Sequence, residues 1–147
     1  MVTHTTPLSR AAVLLAALLL ALPAAAGEPV VVVNPQSGID RLSKDEVTHI
    51  FMGRKKRLPG DLVALQVEQA LPPAVRARFY ERLVQKSLPE INAYWARLYF
   101  SGQAQPPRQL DTAEEVLDLV ALNKGAIGVV DGAKVDKRVR VVLDLGK

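Results

Sequence analysis

The sequence predicts an α/β domain with a mixed sheet flanked by helices. Three observations carry this. Val30-Val31-Val32-Val33 is a continuous β-branched run, apolar on both faces. Ser43 and Ser87 each stand three residues before a glutamate at the head of an apolar-periodic stretch, which is the capping-box signature of a helix start. The order that follows is strand, helix, strand, helix, helix, helix, strand, strand, an alternation typical of layered α/β domains.

Residues 1–26 read as a cleavable secretory signal peptide. Arg10 is the one fixed charge of this stretch, an apolar run of 12 residues extends from Ala11 to Leu22, and Pro23 leads into Ala24-Ala25-Ala26. A membrane-spanning helix needs about 20 apolar residues, so export with cleavage is expected, and with it a periplasmic location. What remains, 27–147, is one domain of 121 residues. Without Arg10 it carries 18 basic and 15 acidic residues, a net charge of +3. That suits a small anion or an acidic surface, whereas nucleic acid is excluded as a partner by the absence of a strong basic face. The chain has no cysteine, so its core must hold the fold without disulfides.

Residues 30–33 are expected as a strand covered on both sides, as parallel strands between helices are. Asn34-Pro35-Gln36-Ser37-Gly38 follows as a loop at its carboxyl end. The first helix starts at Ser43, is stapled by Leu42 and Val47, buries Val47, Ile50 and Phe51, and stops at Gly53. Arg54-Lys55-Lys56-Arg57 and Pro59-Gly60 form a basic connector. Residues 62–67 are a second strand candidate. Leu71-Pro72-Pro73 opens a helix with Val75, Phe79, Leu83 and Val84 on its apolar face and Arg76, Arg78 and Arg82 largely away from it. The helix begun at Ser87 buries Leu88, Ile91, Trp95 and Leu98 and ends near Gly102. Residues 103–109 read as a proline-containing loop. Asp111 and Glu114 are expected to cap a helix carrying Val116, Leu117, Val120 and Leu122. Residues 126–130 form a buried strand, Asp131-Gly132 a turn, and 139–143 the closing strand.

The search for catalysis is negative. His49 is the one histidine after the signal segment, and metal sites need several ligands. No G-x-S-x-G, H-E-x-x-H, Walker or G-x-G-x-x-G pattern occurs. Asp45-Glu46 and Glu114-Glu115 lie in first helical turns, where they complement the helix dipole. An enzyme, a metal and a cofactor are not expected. Three features keep a binding reading beside a structural one. The 54–57 basic run is either a solvated loop or a surface for an anionic lipid or partner. Tyr94-Trp95 and Tyr99-Phe100 are either core at helical spacing or a sugar platform. Ser37-Gly38 is either an ordinary β-to-α turn or a site, since it lies beyond a strand's carboxyl end, where open α/β sheets bind ligands.

Leu42-Ser43-Lys44-Asp45-Glu46-Val47 with Ile50-Phe51-Met52-Gly53-Arg54 resembles the "Leu-Ser … Ile-Phe-x-Gly" helix of phosphate ABC-transporter substrate-binding proteins. Phe79, Tyr94-Trp95, Phe100-Ser101-Gly102 and Gly125-Ala126-Ile127-Gly128-Val129-Val130 continue the resemblance over residues 29–131. It implies a single lobe of a type II periplasmic-binding-protein-like fold, a short member of that superfamily. Full-length relatives close two lobes on the anion and cradle it with an Arg and a Ser-Gly-Thr turn after the strand equivalent to residues 62–67. Here that stretch reads Glu68-Gln69-Ala70-Leu71-Pro72-Pro73-Ala74: the arginine and hydroxyls are missing, each proline lacks a donor, and Glu68 is expected to repel an anion. The resemblance therefore implies a solute-binding-type protein without the usual phosphate site. The alternative is a periplasmic protein–protein interaction module that has lost small-molecule binding. A residual weak oxyanion site would use Ser37, Gly38 and Arg108, the basic residue of the 103–109 loop. A transporter or envelope protein is the implied partner, and a homodimer is a further expectation.

Overall fold

The computed structural model describes residues 27–147, so the signal-peptide segment lies outside the described residues. The elements run β1 (Pro29–Val33), α1 (Lys44–Phe51), β2 (Leu65–Gln69), α2 (Pro73–Val84), α3 (Leu88–Phe100), β3 (Arg108–Leu110), α4 (Ala113–Leu122), β4 (Ala126–Asp131), a short 3-10 turn (Gly132–Lys134) and β5 (Arg140–Asp144). They form one five-stranded mixed sheet in the order β3-β2-β4-β1-β5. β2 is parallel to β3 and β4, and β1 is antiparallel to β4 and β5.

Strand alternation divides the core in two. Val31, Val33, Ile127 and Val129 face α1, α2 and α3, where Phe51, Phe79, Tyr80, Ile91 and Trp95 complete the larger layer. Val30, Val32, Val67, Ala126 and Val130 face α4, which contributes Val116, Leu117 and Val120. That helix sits close because β4 offers it a glycine: a Cβ on Gly128 would stand 2.9 Å from Val116 Cγ1. With helices on both faces, β1 is buried along its whole length, as its β-branched run predicts. Its direction departs from expectation. Burial on both faces is usual for parallel strands, but here β1 is antiparallel to both neighbours, because a helix layer on each face satisfies the same pattern whichever way the neighbours run.

The capping boxes at Ser43–Glu46 and Ser87–Glu90 form as predicted. At α4 the box is one residue later than expected. Thr112 Oγ1 accepts from Glu115 N at 3.1 Å, and Glu115 Oε2 accepts from the Thr112 and Asp111 backbones. The Thr-x-x-Glu pattern wins because both its side chains reach back. Leu122 is 82% exposed rather than core; it lies about 200° around the helix from Val120. Strand β2 begins three residues later than the apolar run suggested and extends through Glu68 and Gln69. β3 stands where a loop was expected; three residues, two of them polar, carry no legible period, and pairing with β2 makes the strand.

Candidate functional site

The place where two-lobed relatives are expected to cradle an anion is the passage from β2 into α2. Its backbone donors are largely committed. Ala70 N–H donates to Leu110 O at 2.7 Å and Leu71 N–H to Asp111 O at 3.0 Å, so the strand end is tied to the residues after β3. Pro72 and Pro73 have no N–H, and Val75 N–H donates back to Pro72 O at 3.2 Å. Ala74 is left as the free N–H of this stretch among the described residues. The N-cap of α2 is Pro72, which has no capping side chain. Leu71 beside it is 54% exposed.

Glu68 behaves differently from its expected role. Its side chain does not project toward the strand end but turns under α2 and α3, fully buried. There Oε2 accepts from Arg76 Nε at 2.6 Å and Oε1 accepts from the Tyr80 hydroxyl. The Arg76 terminal nitrogens donate to Asn92 Oδ1 on α3, each at 3.3 Å, and the guanidinium lies 5.4 Å from the Tyr80 ring centroid. Arg76, expected to lie largely away from the apolar face, is therefore buried: a carboxylate enclosed by the core needs a cation within reach. Burial pushes the Glu68 carboxyl up, with the Arg76 charge and the Tyr80 and Arg76 hydrogen bonds pulling against it. Burial, followed by the Glu68 charge, lifts the Tyr80 hydroxyl well above the usual tyrosine range. The charge that was expected to repel an anion is thus neutralised internally.

The candidate ligand residues are not brought to this place. Ser37 and Gly38 follow β1, and since β1 runs against β2 and β4 its carboxyl end lies at the opposite end of the sheet from the start of α2. A five-residue strand separates the two ends by about 17 Å. Ser37 Oγ accepts from Ile39 N at 3.3 Å and shapes its own turn, and the shallow depression it lines with Gly38 also contains Asp40 and Glu46. Arg108 opens β3 and is exposed at the sheet edge. It shares an end with Ser37, but β2 and β4 lie between their strands, three spacings of about 4.8 Å, on the order of 14 Å. Among the described residues no cluster of three His, Cys, Asp or Glu side chains could hold a metal ion.

The aromatic pairs divide. Trp95 is buried, and Tyr94 donates its hydroxyl to Met52 O at 2.6 Å, so this pair is core as its spacing suggests. Tyr99 is 54% and Phe100 85% exposed. A groove of about 430 Å³ opens beside Tyr99, lined also by Gly53, Lys56, Gln66, Gln103 and Gln105. Its walls come from three separated segments, of which the sequence marks two, the basic run at Lys56 and the aromatic pair at Tyr99, without joining them.

This five-stranded mixed sheet, with helices on both faces and a first strand running against its neighbours, matches in fold a single lobe of periplasmic binding proteins. Solved phosphate receptors are among the structures it superimposes on. An ABC-type phosphate transport receptor from Vibrio cholerae aligns with a TM-score of 0.61 at 17% identity, over 78% of this chain and 45% of the receptor. A structure with bound phosphate from Clostridium perfringens, described as a phosphate ABC transporter substrate-binding protein, gives 0.62 at 17% identity over 78% and 44%. PstS from Borrelia burgdorferi gives 0.51 at 10% identity over 78% and 46%. The chain spans less than half the length of each of these structures, and the likeness is one of fold. No family model and no curated protein matches the chain in sequence.

Proposed function

We propose that residues 27–147 form an exported, periplasmic solute-binding-type lobe that does not use the phosphate cradle of its structural relatives. The observation that carries this is the donor count at the start of α2. Two prolines and two strand-end hydrogen bonds leave Ala74 as the free N–H of the stretch where an anion would need several. Charge-assisted bonds contribute roughly 1.5–3 kcal/mol each, so losing several removes useful affinity. Isothermal titration of the 27–147 protein with inorganic phosphate at low salt is expected to give a Kd no tighter than about 1 mM. Micromolar binding by a monomer overturns the reading. Sedimentation of the same sample separates that outcome from a cleft rebuilt by a homodimer.

A second reading, a docking module for a transporter or envelope protein, is favoured by one observation. Leu71 is more than half exposed at the sheet end where the relatives' second lobe would lie. Export itself is tested by N-terminal sequencing of the protein recovered outside the cytoplasm, which is expected to begin at Gly27.

A further inference from the structure

Two features that the fold and the proposed function leave unused meet in one place. The 54–57 basic run follows α1, and Tyr99-Phe100 ends α3. Lys56 from the first and Tyr99 from the second line the same groove of about 430 Å³, within the size range of small-molecule sites. Three amide side chains, Gln66, Gln103 and Gln105, complete the polar part of its lining, with Val63, Ala64 and Ala104 as the apolar part. No carboxylate lines it.

The walls are preformed. Gln103 N–H and Ala104 N–H both donate to Leu98 O, at 2.9 and 3.4 Å, which pins the loop leaving α3. Arg54 N–H and Lys55 N–H both donate to His49 O, at 2.9 and 3.0 Å, and Ala64 N–H donates to Lys56 O at 2.9 Å, which pins the opposite wall. Gln66 Nε2 donates to Ile50 O at 3.1 Å, leaving its carbonyl oxygen as an acceptor. Gly53 has a φ of 74°, and a Cβ there would meet Trp95 Cη2 at 2.7 Å, so the groove floor is the thin layer over the indole.

The chemistry of this lining is specific. A half-exposed phenol ring offers a flat apolar face for the C–H face of a pyranose. Amides both donate and accept, as sugar hydroxyls do. An ammonium with no acid among the lining residues favours a carboxylate, and the flanking Arg54 and Lys55 are exposed and of the same sign. We propose that this groove is a binding site for an acidic carbohydrate, with Tyr99 as the stacking platform, Gln66, Gln103 and Gln105 as the hydroxyl partners and Lys56 as the carboxylate partner. It lies toward the amino ends of β2 and β4, away from the start of α2, so it stands or falls separately from the phosphate reading.

Trp95 is the sole tryptophan of the chain and its ring abuts Gly53, so its fluorescence reports on the groove. The test is a fluorescence titration of the 27–147 protein with trigalacturonate, its methyl ester and triglutamate, with phosphate as competitor. Saturable binding of trigalacturonate is expected, with no competition from phosphate. Tyr99→Ala should weaken it by about tenfold and Lys56→Gln by about two- to fivefold. Both side chains are exposed, so unchanged thermal unfolding of these variants confirms that they fold. The ester should bind more weakly than the acid. The proposal is overturned by no saturation with trigalacturonate up to about 10 mM, weaker than any useful affinity, by unchanged affinity in Tyr99→Ala, by equal binding of the ester, or by equal binding of triglutamate, which would reduce the site to charge alone.

Discussion

Arg76 and Arg138 each hold carboxylates, in opposite surroundings. Arg76 has a side chain 9% exposed and faces a Glu68 that is fully buried. Arg138 is 30% exposed and gathers Glu114, Asp118 and Asp136, each at least 46% exposed, at 2.6 to 2.8 Å. By count of ion pairs the second arginine is the better connected. By energetics the first matters more, because water can replace any partner of Arg138 and none of Glu68. What a pair is worth is set by what either partner would face alone.

The largest effect is expected where that comparison is broken from the buried side. Arg76→Met should cost about 3–5 kcal/mol in urea unfolding, since it leaves Glu68 enclosed without its cation. The sign of the pH dependence follows from the direction of the shift. A carboxyl raised by burial favours its neutral form in the fold, so the variant should recover stability as pH falls through the raised folded value toward the ordinary 4.5, and lose it again as pH rises. Glu68→Leu and Tyr80→Phe combined with Arg76→Met should restore most of the loss, because apolar side chains of similar bulk need no partner and the Tyr80 hydroxyl is removed together with its acceptor. A triple variant as unstable as the single one would mean that Arg76 matters through packing rather than through charge.

The smallest effect is expected at the exposed cluster. Arg138→Ala should lower the unfolding midpoint less than Arg76→Met does, and the difference from the parent should shrink as salt approaches about 1 M, where screening is within about 3 Å. Hydrogen bonds from Arg138 hold Asp136 at about 2, below its ordinary 3.8. Such a depressed carboxyl contributes stability that is present above 3.8 and is lost as pH falls through about 2. A carboxyl-detected NMR titration should find Asp136 still ionised at pH 3, and Arg138→Ala should return it toward 3.8. A salt-independent loss in Arg138→Ala would remove the contrast between the two arginines.

The capped helix starts and the buried first strand were legible because each is a local pattern: Ser43 with Glu46, Ser87 with Glu90, four valines in a row. The resemblance carried the lobe architecture. What escaped is non-local. The direction of β1 depends on which strands it meets, not on its own residues, and that direction decides which sheet end Ser37 and Gly38 occupy. β3 exists because β2 has an open edge. Arg76 looked like a surface residue because a helical wheel does not show that Glu68, eight residues earlier on a strand, points under it. The groove at Tyr99 was half visible, as an exposed-or-core ambiguity in Tyr99-Phe100 and a loop-or-surface ambiguity in the basic run. Only the fold joins the two.

Arg82 binds the Glu28 carboxylate at one end of the described chain and donates to Leu145 O at the other, at 2.7 Å. Val30 pairs with Asp144 across β1 and β5. The two ends of the described residues thus meet at a single doorway of the lobe. A unit laid out in this way can be grafted into a surface loop of a host protein without stretching either partner. It can equally be permuted, with a short joint across the doorway and a new opening at the exposed Gly60, and keep every strand pairing of its sheet.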